Sequence, residues 1–450
     1  SQPHEYVTAQ ELDALFEGIQ ACELICHVSD ERSVETAPQE IKPLVLHGHC
    51  LYMQRYYEYE QALDLNIQTR LQAMPWQVSD MHETVQNLFS VSPSDTDINW
   101  QAVAACIAAQ NKFSVISGGP GTGKTTTVIR LLALIVQLYA AHYQRNPIIK
   151  LAAPTGKAAM RLTESIVGAK EGLAVSMDIK NVIPQQAETL HRLLQRNANG
   201  AFRFNRNNPL HLDVLIVDEA SMVDLPLMAK LVQAMPAHGQ VILLGDKDQL
   251  ASVEAGSVLA DICDNEIQHG YSQGLVDNLT PILGGDFTGH LETSGADIRD
   301  FICHLKRSYR FHEHSGIGHL ARAANAGDFF QWQQVAAAQY SDLSISGLSE
   351  ADYQAFIEQA AAEVIARISA LNPKGLTDHQ VIETHQAYGG FQILCALKEG
   401  PLGVAGVNLE IEKRLKWQGL MAEESKWYTG RPIIVLENDY GLNLYNGDIG

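Results

Sequence analysis

The most constraining feature of this chain is the segment at positions 118–125, which reads Gly-Gly-Pro-Gly-Thr-Gly-Lys-Thr. The apolar residues 113–116 precede it and a long apolar stretch follows it, so we predict a strand before the segment and a helix from Thr125 onward. In that context the glycines let backbone N–H groups converge on one position, and the helix N-terminus adds partial positive charge. The segment matches G-x-x-x-x-G-K-[ST] and therefore predicts a phosphate-binding loop in an α/β domain.

The residue types in this loop indicate ATP and Mg²⁺ as cofactors. Lys124 is expected to reach the β- and γ-phosphates, and Thr125 to ligate Mg²⁺. The alternative is a chance glycine-rich turn, which the flanking strand and helix disfavour. The predicted nucleotide contacts in the loop are Gly118, Gly119, Pro120, Gly121, Thr122, Gly123, Lys124, Thr125 and Thr126.

A second pair of candidate residues, Asp218 and Glu219, follows the apolar residues 214–217. We expect Asp218 to hold Mg²⁺ through water, and Glu219 to orient and deprotonate an attacking water molecule. A kinase does not need that second acid, because its substrate supplies the nucleophile. The alternative is an Asp-Glu helix cap after a core strand, which the phosphate loop makes the weaker interpretation.

The order of apolar segments predicts the domain organisation. Residues 113–116, 148–152, 214–217 and 241–244 are short apolar segments that end in polar or glycine-containing loops, as in a parallel sheet with ligand sites at the strand carboxyl ends. We expect a small, largely helical domain (1–92), an α/β domain (93–263) with a hairpin insertion (197–208), an acidic surface loop or insertion (264–300), and a partial second α/β domain (301–450) with its clearest strands at 391–396 and 433–436.

The first 92 residues carry a tyrosine cluster that suits a protein interface: Tyr52, Tyr56, Tyr57 and Tyr59. We therefore expect this region to dock a partner rather than to form part of a motor. Packing of the tyrosines in the region's own core is the alternative.

Charge and cysteine content bound the function further. The net charge of −20 argues against nonspecific nucleic-acid binding by the whole surface, but residues 141–206 hold ten Lys/Arg against four Asp/Glu, a local excess of +6. Seven cysteines without zinc-ligand spacing suggest free thiols in a reducing cytoplasm. The most apolar stretch, 128–141, is interrupted by Arg130 and Gln137, so we predict a buried helix there and no membrane association.

Five further segments accompany the loop and the acidic pair in a fixed order: Asn-Trp-Gln at 99–101, Ala-Pro-Thr-Gly-Lys at 153–157, Thr-Leu-His-Arg at 189–192, Gly-Asp-Lys-Asp-Gln-Leu at 245–250 and Ser-Tyr-Arg at 308–310. With them the chain resembles, over essentially its whole length, the RecD family of superfamily 1 helicases, the alpha subunits of exodeoxyribonuclease V. Several ordered motifs are far more specific than a phosphate loop alone.

The resemblance implies roles for individual residues. Gln101 would read adenine; the alternative is a solvated helix residue. Thr155, Lys157, Thr189 and His191 would contact a DNA strand, although segment 153–157 also suits a structural strand-to-helix turn and a lone histidine is often structural. Gln249 would sense the γ-phosphate. Arg310 would open the second motor domain and reach across to the γ-phosphate; a surface ion pair is the alternative.

The resemblance also implies the architecture and the activity. We expect two RecA-like P-loop motor domains behind the helical region, the second incomplete because the family's later motifs should lie beyond residues 446–448. The implied function is 5′→3′ ATP-dependent DNA unwinding in double-strand-break repair and recombination, with RecB and RecC as partner subunits and the nuclease chemistry in a partner. We expect the 450-residue chain to bind ATP but to hydrolyse it poorly alone. A nucleotide-controlled DNA clamp and an RNA-directed helicase are the alternatives.

Overall fold

The computed structural model describes residues 17–19, 21–28, 42–72, 81–92, 96–197, 200–250, 258–263, 270–291, 297–311, 314–347, 349–369, 377–422, 427–428, 430–435, 442, 444 and 449–450. The chain forms two compact units, Ser1–His312 and Glu313–Gly450. All seven cysteines are free thiols, as their scattered positions predicted.

The N-terminal part of the first unit contains a small sheet that the sequence did not lead us to expect. Strands β1 (Ile25–Val28) and β2 (Leu44–His47) pair in parallel, and β3 (Cys50–Met53) pairs antiparallel to β2 before helix α1 (Gln54–Leu71) begins. The strands are only four residues long, too short for a periodic pattern to identify them. The prediction of a largely helical region was therefore incomplete.

A six-stranded parallel sheet forms the core of the first unit. Its strands run in the order β6-β5-β7-β8-β4-β9, and every pairing between neighbours is parallel. They are β4 (Phe113–Gly118), β5 (Ile149–Ala153), β6 (Ala187–Thr189), β7 (Val214–Val217), β8 (Gln240–Gly245) and β9 (Ile302–Leu305). The four strands predicted from apolar segments are confirmed, each to within two residues.

Helices cover both faces of this sheet. Val214 and Ile216 of β7 belong to one hydrophobic cluster, and Leu215 and Val217 to another, as strand geometry requires when both faces are buried. The helices are α2 (His82–Phe89), α3 (Trp100–Gln110), α4 (Lys124–Tyr143), α5 (Gly156–Glu171), α6 (Met177–Val182), α7 (Leu190–Leu193), α8 (Leu225–Ala234), α9 (Val258–Cys263) and α10 (Gln273–Leu283). The predicted α/β class is confirmed.

Helix α4 follows the phosphate loop and lies inside this unit. Among the described residues it alone is long and apolar enough, by length and composition, to span a membrane. It extends beyond the apolar stretch 128–141, but most of its side chains are buried in the core, from Val128 and Leu132 to Leu138. The prediction of a buried core helix is confirmed.

Residues 270–291, the larger described part of segment 264–300, contribute to the core, which corrects their interpretation as a surface loop. Helix α10 buries Leu279 and Leu283, and Tyr271 and Phe287 on either side of it are buried as well. The glycines at 284 and 285 follow the helix, and both have positive φ. The glycines that suggested a loop thus mark the C-terminal end of α10. The burial of the apolar residues of this helix depends on neighbours that are distant in the sequence.

Strand β9 corrects the expected start of a second α/β domain at residue 301. It pairs with β4 and so completes the first sheet, with Ile302 opposite Val115 and Leu305 opposite Gly118. Nothing local in these four residues tells to which sheet they belong, because parallel pairing joins segments far apart in sequence.

Helix α1 packs against helix α8 of the sheet domain. Leu63 and Ile67 are buried there, and the buried guanidinium of Arg70 donates to the carbonyl of Gly239 at 2.6 Å. Tyr57 is buried, and the ammonium of Lys230 lies 5.6 Å from the Tyr59 ring centroid. These contacts within the chain favour the alternative in which the tyrosines pack in a core.

The predicted hairpin insertion forms bridges between Arg196 and Phe202 and between Asn205 and Asn208. Its backbone bonds return to the chain before it, since Arg203 N–H donates to the carbonyl of Gln195. The aromatic side chains Phe202 and Phe204 pack at the edge of the core beside α8, which holds the insertion against the domain.

The second unit is helical in its described part. Its helices are α11 (Gly316–Asn325), α12 (Phe329–Ala337), α13 (Glu350–Ser369), α14 (Asp378–Gly389) and α15 (Val404–Trp417). A small core forms where α13 meets α15, with Ile357, Ile411 and Leu415 buried.

Of the two strands expected in the second unit, the one at 391–396 is not observed among the described residues, and the one at 433–436 lies partly outside them. Residues 391–396 alternate in burial, and Phe391, Ile393 and Cys395 pack on the small core, but no described strand pairs with them. Around 433–436 one antiparallel bridge joins Ile434 to Ile449, and residue 436 lies outside the described residues, as do 446–448. The alternation of apolar residues correctly indicated which side chains are buried. A β-strand also needs a neighbouring strand in register to form its ladder of hydrogen bonds.

Candidate nucleotide-binding site

The phosphate loop joins β4 to α4, as predicted. Gly121 and Gly123 have φ of +77° and +82°, values that side chains disfavour. A Cβ at Gly118 would lie 2.6 Å from Oγ1 of Thr122, and that hydroxyl donates to the carbonyl of Gly119 at 2.8 Å. The glycines are thus required both by backbone conformation and by close packing of the loop on itself.

Lys124 is the first residue of α4, and its ammonium folds back over the loop. It donates to the carbonyl of Gly118 and lies 3.5 Å from that of Gly119. The first N–H groups of a helix have no partner within it, so this helix start and the ammonium create a positive site at the loop. Thr125 is partly buried beside it, and Thr126 is exposed.

Asp218 and Glu219 lie at the carboxyl end of β7. The Asp218 N–H donates to the Ala152 carbonyl at 2.9 Å, and the Asp218 carboxylate accepts from the Glu219 N–H at 2.9 Å. Burial raises the pKa of Asp218, while the Glu219 N–H and the charge of Lys124 oppose that rise. A carboxylate at the end of β7 and a threonine hydroxyl at the start of α4 are oxygen donors of the kind that Mg²⁺ prefers.

Glu219 adopts the left-handed backbone conformation, with φ of +51°. It precedes a short 3₁₀ turn, Ala220–Met222, which packs against the end of β8. A non-glycine residue in this region is uncommon and carries strain, which is often found at functional positions. The conformation departs from a simple helix cap.

Asp246 at the end of β8 also lies next to the loop. It is buried, and a Cβ at Gly119 would be 3.8 Å from its Oδ2. Gln249, the residue selected from this motif, is exposed, and its N–H donates to the Asp246 carbonyl at 3.2 Å. Sequence reasoning overlooked Asp246, although a polar residue directly after a buried strand was the available signal.

A cleft of about 670 Å³ adjoins the loop on the side of α3. Gln101, in the first turn of α3, donates from its amide to the Thr122 carbonyl at 3.3 Å. The lining residues are Ser90, Val91, Thr96, Asp97, Ile98, Asn99, Trp100, Gln101, Thr122, Leu305, Lys306, Arg307 and Tyr309. Trp100, Lys306 and Tyr309 were not singled out from the sequence, because their proximity depends on β9 pairing with β4.

Segment 308–310 contacts the phosphate loop within the first unit. The Tyr309 N–H donates to the Gly121 carbonyl at 2.7 Å, and the Ser308 hydroxyl to the Pro120 carbonyl at 3.2 Å. The backbone nitrogen of Arg310 would lie 3.1 Å from a Cβ at Gly121. The expectation that this motif opens the second domain is corrected: the arginine lies beside the loop because it follows β9.

The residues predicted to contact DNA lie at the carboxyl ends of β5 and β6. Ala153 pairs with Thr189, so Thr155 and Thr189 end neighbouring strands. Each threonine caps the helix after it, since Thr155 accepts from the Ala158 N–H at 3.2 Å and Thr189 from the Arg192 N–H at 3.3 Å.

The other two predicted DNA contacts differ from each other. Lys157 is exposed in the first turn of α5. The ring of His191 instead lies 5.9 Å from that of Phe202 in the hairpin, and burial, followed by the charge of Arg196, lowers its pKa. The imidazole is solvent-exposed, but its contact with Phe202 and its lowered pKa, which favours the neutral form, fit the structural interpretation of His191 better than that of a phosphate contact.

This chain is similar to known ATP-dependent proteins, and the similarity includes the residues of the nucleotide-binding site. The AAA domain family model AAA_19 matches residues 100–255. RecBCD enzyme subunit RecD of Haemophilus influenzae is 37% identical over 91% of this chain and 66% of its own length. The same subunit from Buchnera aphidicola is 30% identical over 91% of this chain and 67% of its length. The ATP-dependent RecD2 DNA helicase of Deinococcus radiodurans is 27% identical over 76% of this chain and 36% of its length.

The RecD relatives are matched along almost the whole of this chain, although the chain spans only about two thirds of their length. The family model covers the phosphate loop, the acidic pair and the end of β8. By its sequence and by the site that its strands assemble, the chain belongs to the RecD family.

Proposed function

We propose that this chain is the ATP-hydrolysing motor of a DNA helicase subunit. The single observation that carries the proposal is the convergence of the phosphate loop, the pair Asp218 and Glu219, and Asp246 at the carboxyl ends of three adjacent strands, β4, β7 and β8. In open parallel sheets ligands bind at this edge. The names of the relatives, RecD subunits and a RecD2 helicase, support the same activity.

Each residue has a role that follows from its chemistry. Lys124 and the start of α4 stabilise negative charge on the phosphates. Thr125 and Asp218 would hold Mg²⁺, which, when bound, neutralises charge on the phosphate oxygens. Glu219, just after β7, accepts the proton of the attacking water.

The cleft beside α3 would hold the nucleoside. Gln101 contacts the loop, and its amide carries both a donor and an acceptor, the groups needed to recognise an adenine edge. Tyr309 presents a ring that is 61% exposed and lines the cleft, where it can stack on a base. Arg310 beside Gly121 and Gln249 after Asp246 are the remaining groups proposed to respond to the γ-phosphate.

The DNA strand would follow the carboxyl ends of β5 and β6. Thr155 and Thr189 cap helices there, and Lys157 adds an exposed cation, groups that contact phosphates without reading sequence. Residues 141–206 carry an excess of basic residues within an otherwise acidic chain, and Lys157 is the member of that set that lies at this surface, whereas Arg145 pairs with Asp213 at the opposite end of the sheet.

The assembly is part of the same proposal. The relatives are named as subunits of the RecBCD enzyme, and we infer that this chain joins RecB and RecC in the cytoplasm, as exodeoxyribonuclease V acting in double-strand-break repair and recombination. Movement is proposed to run 5′→3′. Residues 1–92 are the proposed docking region, although their tyrosines pack within the chain.

The test compares the ATPase rate of the native protein with single-stranded DNA, duplex-ended DNA and RNA of equal length. Stimulation by DNA well above that by RNA, abolished in Lys124→Ala, is the expected result. Greater stimulation by RNA would indicate an RNA helicase. DNA binding that depends on nucleotide but gives no turnover, also when RecB and RecC are added, would indicate a clamp.

A further inference from the structure

Three segments far apart in the sequence meet at the outer wall of the cleft. The ammonium of Lys306, just after β9, lies 4.3 Å from the ring centroid of Trp100, the first residue of α3. Its Nζ is also 3.1 Å from Nδ1 of His290, at the end of the 3₁₀ turn Thr288–His290. The rings of Trp100 and His290 are themselves 4.9 Å apart and nearly perpendicular.

These contacts define the protonation of the pair. Burial first, and then the charge of Lys306, lowers the pKa of His290, while Asp286 opposes the change. His290 is therefore neutral at physiological pH and can accept a hydrogen bond from Lys306 through Nδ1. Desolvation also lowers the pKa of Lys306, but an amine that starts near 10.5 stays largely cationic unless the shift is large.

The Lys306 ammonium has N–H donors that its contact with His290 does not use. A lysine carries three N–H groups, and one of them suffices for His290. In the described part of the chain no carboxylate forms an ion pair with Lys306. The side chain remains largely exposed towards the cleft that Gln101 and Thr122 also line.

We propose that Lys306 is a nucleotide-positioning residue that donates a hydrogen bond to the nucleoside part of the ligand, at a ribose oxygen or a ring nitrogen, while Trp100 and His290 hold its ammonium in place. The inference rests on the proposed nucleotide site. With the phosphates on the loop, the nucleoside extends into the adjoining cleft, where Lys306 lies. The phosphates would be bound by Lys124 at the phosphate loop.

The first experiment measures dissociation constants of ATP, ADP and inorganic tripolyphosphate for Lys306→Met, which keeps an apolar stem against Trp100. Loss of a hydrogen bond from a charged donor is expected to weaken ATP and ADP binding by roughly 10-fold or more. Tripolyphosphate, which has no nucleoside, should bind as in the wild type. Lys398→Met, at an exposed lysine of the second unit, is the matched control and should change nothing.

Three outcomes would overturn the inference. Unchanged ATP affinity would show that Lys306 does not contact the ligand. An equal loss for tripolyphosphate would place its action on the phosphates. If the melting temperature of Lys306→Met fell so far that partial unfolding explained the loss of ATP affinity, Lys306 would be a structural residue. The proposed site is tested separately by Lys124→Ala, which must weaken all three ligands.

A second variant tests the role of His290. Protonation below its lowered pKa would remove the acceptor and place a second cation beside Lys306, an effect that the charge of Asp286 opposes. Wild-type ATP affinity should therefore fall more steeply with acid than that of His290→Gln, whose amide oxygen accepts at any pH. Parallel pH profiles for the two proteins would show that His290 does not hold Lys306 for binding.

Discussion

Glu219 has a local conformation that only its surroundings can stabilise. Its φ of +51° carries a cost of about 1–3 kcal/mol for a residue with a side chain. The following turn rests on the end of β8, since a Cβ at Gly245 would lie 3.2 Å from the Ser221 nitrogen and 3.5 Å from that of Ala220. The glycine in that motif thus lets the acidic turn approach the sheet.

Replacing Glu219 with Gln is expected to lower kcat by roughly 10²–10⁴ while ATP affinity stays within a few-fold of wild type. The amide is nearly isosteric but cannot accept the proton of the attacking water. Steady-state ATPase assays, with a fluorescent ATP analogue for affinity, measure both quantities. A variant with wild-type kcat would reduce Glu219 to a structural turn residue.

Asp218→Asn is expected to stabilise the nucleotide-free protein and to weaken its response to Mg²⁺. Because burial raises the pKa of Asp218, its charged form destabilises the fold once the pH is above the folded-state pKa. Removing a charge of this kind commonly stabilises by about 0.5–2 kcal/mol, or roughly 2–4 °C per kcal/mol in a domain of this size. Thermal melts at neutral pH, with and without Mg²⁺ and ATP, give both effects; a lower melting temperature without ligand would contradict this reasoning.

At the scale of elements, an ion pair joins three of them at the end of the sheet opposite the nucleotide site; its Asp213 carboxylate is buried, whereas the Arg145 side chain is 49% exposed. Asp213, just before β7, accepts from both terminal nitrogens of Arg145, which follows α4, at 2.7 and 2.6 Å. It also accepts from the N–H of Ile148, just before β5, at 2.7 Å. Such charge-assisted pairs are directional, so they set the relative positions of the helix and both strands.

Asp213→Asn is expected to lower the free energy of unfolding by about 1–3 kcal/mol at neutral pH. Burial alone would raise the pKa of Asp213, but bonds from Arg145 and Ile148, and the charges of Arg145 and His238, outweigh it and lower the pKa. The stabilisation is therefore complete at pH values above the unfolded-state pKa of about 3.9, and it is lost as the pH falls through the folded-state pKa.

Urea unfolding of Asp213→Asn at pH values from neutral to acidic tests that sign, with Glu164→Gln, at an exposed position of α5, as the control. The difference from wild type should shrink at acidic pH. A constant difference at all pH values would mean that the pair contributes through packing and not through charge.

At the scale of the whole molecule, the charge distribution opposes the proposed DNA interaction except on one surface. The net charge is −20, yet the segment that forms α5, α7 and the hairpin carries a positive excess. Binding should then depend on a few phosphate contacts and fall steeply with salt.

Lys157→Ala is expected to weaken binding of single-stranded DNA for every sequence and to reduce the slope of log K against log salt by about 0.7, the value for one phosphate contact. Fluorescence anisotropy across a salt series measures both, with Lys398→Ala as the control. An unchanged slope would remove Lys157 from the DNA surface.

The features that could be predicted from the sequence are local ones. The phosphate loop required glycines at positive φ between a strand and a helix, and these conditions involve only neighbouring residues, so Gly121, Gly123 and Lys124 were predictable. Strands such as 214–217 were predictable too, because burial on both faces selects an unbroken apolar run. Asp218 and Glu219 followed from their position after that run, whereas the left-handed turn of Glu219 did not.

The remaining features of the site depend on which distant segments of the chain pair in the folded protein. Residues 302–305 carry no mark of their sheet, yet their pairing with β4 brings Lys306, Tyr309 and Arg310 to the phosphate loop. The same pairing sets Lys306 against Trp100 and His290, some 200 and 16 residues away in the chain. Parallel strands form their hydrogen bonds with partners that are distant in the sequence. The difference in free energy between alternative pairings comes from the packing of the whole core, and a local sequence pattern does not contain that information.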